Sequence, residues 1–102
     1  MANQSTYIVQ RTTIRRILIA MHVDEKSIGV LLSEMEKNHR HINAITLVSQ
    51  LEKIGIEREQ ISNILRRIGF DDLTIAEVFE MTDVQKISAE IGRVYSIEVD
   101  FS

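Results

Sequence analysis

Shifted by 33 residues, the apolar skeleton of this chain falls on itself. Leu18 meets Leu51, Met21 meets Ile54, Val23 meets Ile56 and Asp24 meets Glu57. Ile28 then meets Ile61, Leu31 meets Ile64, Leu32 meets Leu65 and Met35 meets Ile68. The apolar and capping positions match, and the exposed ones mostly do not. Two similar αα-hairpins leave such an echo, whether by duplication or through shared packing rules. The chain has no proline and four glycines. Helix is therefore permitted almost everywhere, and capping residues must supply the punctuation.

The elements follow from that punctuation. Thr6-Tyr7-Ile8-Val9 has the β-branched and aromatic content of a short strand. From Thr12 the period changes to that of a helix, with Ile14, Ile17, Leu18 and Met21 on one stripe. Asp24 is placed to cap a second helix, which carries Ile28, Leu31, Leu32 and Met35, and Val23 and Ile28 have the spacing of a hydrophobic staple. Asn43 caps a third, with Ile42 and Leu47 as its staple and Leu47, Val48, Leu51 and Ile54 as its buried stripe. Gly55 stands where the chain must turn left-handed. Ile56 and Ile61 staple a fourth helix, whose stripe is Ile61, Ile64, Leu65 and Ile68 and which closes at Gly69.

Thr74-Ile75-Ala76-Glu77 reads as a capping box with Leu73 and Val78 as its staple. A sixth short helix is expected from Thr82 or Asp83 to Gly92, with Val84, Ile87 and Ile91 inside. The tail then alternates: Tyr95, Ile97, Val99 and Phe101 against Ser96, Glu98, Asp100 and Ser102, the pattern of a half-buried strand. A lone strand leaves its backbone groups unpaired. Its partner is expected to be Thr6 to Gln10 or the same segment of a second copy, which would make a homodimer through the C-terminal strand. The fold expected is all-α: one domain over residues 1–102, a compact bundle of five or six short helices built on two αα-hairpins, with that C-terminal strand.

Bulk properties exclude several functional classes. A chain of 102 residues that is 44% hydrophobic and 26% charged can bury one modest core without crosslinks. It has no cysteine, so disulfides and thiolate chemistry are out, and a reducing compartment fits. No apolar run reaches the roughly 18 to 20 residues a membrane span needs, and Met1 to Thr6 shows no signal-peptide pattern. A cytoplasmic location without membrane association is expected. The net charge of −3 mildly opposes nucleic-acid binding, although a local basic face can coexist with it.

Three constellations could carry function. Leu47 to Arg66 resembles the helix-turn-helix of small repressors, with Gly55 in the turn and Ile61 and Ile64 as the buried pair of the second helix. The resemblance implies a DNA-binding regulator that reads bases with Arg58, Ser62 and Asn63 and holds phosphate with Arg66 and Arg67. The segment departs from that family where Leu51 replaces a small residue at the helix crossing. Glu57 and Glu59 also put carboxylates at the tip that should approach phosphates. The second constellation is a basic helix face, Arg11, Arg15 and Arg16 with Ile19 beside it, suited to an acidic protein partner or phosphate. The third is His39-Arg40-His41 in the loop after the second helix, which lacks any standard metal-ligand spacing. His22 reads as a C-terminal helix cap. No phosphate loop, nucleophile elbow or cysteine nucleophile is present. The expectation is a non-enzymatic helical binding module without cofactor or metal, most simply for a protein partner through the arginine face. A DNA-binding regulator is the alternative.

Overall fold

A computed structural model of the protein describes residues 4–37, 40–85 and 94–101. The element order is β1 (Gln4–Gln10), α1 (Arg11–Ala20), α2 (Glu25–Lys37), β2 (His41–Asn43), α3 (Ala44–Lys53), α4 (Arg58–Ile68), α5 (Asp72–Gln85) and β3 (Val94–Asp100). The protein is mostly helical, as expected, but not strictly all-α. Three strands form one sheet in the order β1-β3-β2. β1 pairs with β3 in parallel, with Tyr7 opposite Ile97 and Val9 opposite Val99. β2 pairs antiparallel on the other side of β3, with Ile42 opposite Ile97.

Alternation along the strands decides which face the helices cover. Val9, Ile42, Tyr95, Ile97 and Val99 are buried against them, while Ile8, Gln10, Ser96 and Glu98 face outward. α1 and α3 lie on the covered face, and α2, α4 and α5 complete the second layer. Tyr7 stacks on Phe70 at 3.9 Å between ring centroids, and Phe70 meets Tyr95 edge-on at 6.4 Å. These three rings tie the two long strands to the segment between α4 and α5.

The 33-residue echo is realised in the backbone. α1 and α3 start and end 33 residues apart, α4 starts 33 residues after α2, and β2 corresponds to the last three residues of β1. The residues entering the two first helices, Gln10 and Asn43, have φ/ψ of −72°/146° and −71°/135°. Those leaving them, Met21 and Ile54, have −95°/16° and −91°/8°. Next comes a left-handed residue in each, His22 at φ 65° and Gly55 at φ 93°. The amides of Val23 and Ile56 then each donate to a leucine carbonyl, of Leu18 and Leu51, at 3.0 Å. The chain is thus two β-α-α units followed by α5 and a strand that both units share. β1 and β2 flank β3 in opposite directions, the relation expected of two copies about a two-fold axis.

Several expectations need correction. β2 falls where a loop was expected, because three residues holding one apolar side chain cannot display a period of two. The tail strand is central, its two edges taken by β1 and β2, so the reason for expecting a dimer through it disappears. Ile54 is 46% exposed instead of buried: α3 ends at Lys53, and the turn carries Ile54 off the stripe. The capping box at Thr74 does not form. α5 starts three residues earlier, capped by Asp71, with the Thr74 amide donating to Asp71 Oδ1 at 2.8 Å, and Leu73 is 75% exposed. Thr82 starts no new helix. It is buried within α5, its hydroxyl donating to the Val78 carbonyl at 2.8 Å. The rest of the expected sixth helix, residues 86–92, lies outside the described residues.

Candidate functional site

The capping chemistry that builds the helices also holds charge in place. The Asp24 carboxylate accepts from the Ser27 hydroxyl at 2.6 Å and from the Ser27 amide at 3.2 Å, which holds it below the ordinary carboxylate range. Asp71 is lowered in the same way by the hydroxyl and amide of Thr74. Asn43 accepts from the Ile45 amide at 2.8 Å. These groups satisfy helix ends and serve structure.

Arg58, the residue best suited on sequence grounds to read a base, has its fork engaged within the chain. Nη1 and Nη2 donate to the two oxygens of Asp83 at 3.1 and 2.6 Å, and Nε donates to Glu52 at 2.8 Å. The guanidinium also lies 4.9 Å from the Phe79 ring centroid. Asp83 above all, then Glu52, raises its pKa further. The arginine clamps the start of α4 to the end of α3 and to α5. Arg66 donates to Asp72 at 2.9 Å and to Asn63 at 2.8 Å. Ser62 and Asn63 are half-buried, and Arg67 is exposed.

On α1, Arg11, Arg15, Arg16 and Ile19 do share one outward arc opposite the buried Ile14, Ile17 and Leu18. Two of these arginines have internal partners. Arg15 pairs with Glu25 at 2.7 Å, with both side chains well exposed. Arg11 lies 5.9 Å from the Phe101 ring centroid, a ring that Arg40 also approaches. Ile19 is 46% exposed. Of the histidines, His22 occupies the left-handed position after α1, and His41 in β2 lies 3.5 Å from Glu98; His39 lies outside the described residues. Among the described residues, no cluster of three or more His, Asp or Glu could hold a metal ion. No helix among them is long and apolar enough to cross a membrane.

One concavity has no counterpart in the sequence reading. It is a trough of about 400 Å³ between α2 and the end of α3. Val23, Leu31 and Leu51 form its floor, and Val30 and Ile54, 58% and 46% exposed, stand at its sides. Lys26 and Lys53 sit on its rim. Glu34 and Gln50 line this trough and also a second hollow of about 260 Å³, which continues past Thr46 to Asn43 and His41. Together they form one groove, apolar and basic-rimmed at one end, polar at the other. Val30 was the available signal, an apolar residue off the α2 stripe.

The chain matches no protein-family model, and no significant similarity to a curated protein or a solved structure was found. Function has to be read from the surfaces themselves.

Proposed function

We propose that this chain is a non-enzymatic protein-binding module whose α2–α3 groove receives an amphipathic helix from a partner. The observation that carries the reading is the groove: an apolar floor with two large aliphatic side chains left standing in water at its sides. Covering Val30 and Ile54 removes apolar surface that folding alone leaves exposed, worth about 1 to 2 kcal/mol for each side chain. A helix with an apolar stripe at i, i+3, i+4 and i+7 fits such a trough. Lys26 and Lys53 favour acidic residues flanking that stripe, which steers encounter and orientation. The arginine face of α1, with Arg11, Arg15, Arg16 and Ile19, remains a second protein-contacting surface in this reading.

The alternative, a helix-turn-helix regulator reading DNA with Arg58, Ser62, Asn63, Arg66 and Arg67, has less support. Arg58 and Arg66 are occupied by carboxylates, and α5 overlies the start of the would-be reading helix. Isotope-labelled protein titrated separately with a designed acidic amphipathic peptide and with duplex DNA at low salt separates the two. Shifts at Val30, Leu31, Leu51 and Ile54 with the peptide are expected. Salt-sensitive shifts at Ser62, Asn63 and Arg67 with DNA alone would overturn the groove reading.

A further inference from the structure

The two edges of the sheet are built differently. β2 is three residues long, follows Arg40, carries His41 and turns at once into α3. Natural sheets blunt exposed edges in this way, with short strands and charge. β1 has none of these devices. Its seven residues, Gln4–Gln10, include no charge, no proline and no glycine. It pairs with β3 along its whole length on one side. On the other side, no backbone hydrogen bond to another described residue is made. Ile8 is 68% exposed on the open face, and Tyr7, at the middle of the strand on the opposite face, is only partly covered by Phe70.

We infer that β1 pairs antiparallel with β1 of a second copy, joining two sheets into one of six strands. The edge is complementary to itself. In a register centred on Tyr7, Thr6 lies opposite Ile8 of the second copy on the open face, and Tyr7 opposite its own counterpart on the helix face. Gln4 lies opposite Gln10, so all seven residues pair, and with no charge on the strand no like charges meet. The contact is isologous and closes at two copies. It covers an aliphatic side chain on one face and an aromatic one on the other, which a polar peptide strand would leave half exposed.

The test is sedimentation of the full chain over a wide concentration range, with Ile8→Lys and Thr6→Lys compared. Both side chains lie on the exposed face, so the core is undisturbed, and circular dichroism confirms that the variants fold. A monomer–dimer equilibrium is expected, with the dimer Kd raised about tenfold or more in either variant. The cysteine-free chain permits a second measurement. Under mild oxidation an equimolar mixture of T6C and I8C, whose cysteines face each other in this register, should form a covalent dimer, and L73C, on the exposed side of α5, should not. A wild type that stays monomeric, a dimer indifferent to both lysines, or open-ended association beyond two copies would each overturn the inference.

Discussion

The two β-α-α units share a backbone but not an environment, and the difference marks where the molecule can bind. In the second unit, α5 packs over α3 and α4, and α4 also lies against α1. Position 58 carries an arginine that two elements engage, α3 through Glu52 and α5 through Phe79 and Asp83. In the first unit the equivalent position holds Glu25, whose bond to Arg15 is exposed. No element of the α5 kind lies over α2 among the described residues. The α1–α4 seam is closed, while its counterpart between α3 and α2 remains a trough. One packing scheme, used twice with one covering helix, leaves one apolar groove open.

The comparison breaks most visibly at the two helix-start charges. Arg58→Ala should cost about 1 to 2 kcal/mol in chemical denaturation, since it removes the charge-assisted bonds to Glu52 and Asp83 and uncovers the Phe79 ring. Glu25→Ala should cost no more than about 0.5 kcal/mol, the usual worth of an exposed pair. Equal losses would mean that the second unit is not clamped by α5.

The two left-handed residues sharpen the parallel. Gly55→Ala should destabilise by about 1 kcal/mol through backbone strain alone, because a Cβ there meets no atom within 4 Å. His22→Gly should stabilise by a fraction of that, offset by the greater freedom glycine gives the unfolded chain. Thermal melts of both variants suffice, and opposite signs are the expected outcome.

The smallest effects concern the two capping aspartates, one at the start of α2 and one at the start of α5. Both are held below their ordinary value of 3.8 in the folded state. Their stabilisation is therefore present above that value and lost as pH falls through the lowered folded value. Asp24→Asn and Asp71→Asn should each flatten the loss of melting temperature between pH 5 and 2, a range set by about the reference carboxylate value. Curves that stay parallel to wild type would show that these caps contribute nothing through their charge.

Much of the fold was legible because stapled, capped hairpins write themselves into sequence. Val23 with Ile28, and Ile42 with Leu47, fix the entry to α2 and α3, and all four are buried. The 33-residue echo became matching φ/ψ angles. What escaped depends on tertiary partners. β2 holds one apolar residue and exists because β3 lies beside it. Asp71 prevailed over Thr74 as a cap because a carboxylate there also engages the Thr74 hydroxyl. Arg58 resembled a base reader in isolation, and only the fold brings Asp83 to it from 25 residues away. The groove is a relation between two helices; Val30, off the α2 stripe, hinted at it, whereas Ile54 reads as buried until the turn after Lys53 carries it outward.

The most direct measurement is a fluorescence-anisotropy titration with one labelled acidic amphipathic peptide. It compares wild type with Val30→Glu/Ile54→Glu in the groove and Arg16→Glu/Ile19→Glu on the α1 face. All four side chains are exposed, so all three proteins should fold alike. The groove pair should weaken binding by about tenfold or more, from lost apolar contact and added repulsion, while the α1 pair changes it by less than about threefold. The reverse pattern, or no saturable binding to wild type, would contradict the assignment of the groove.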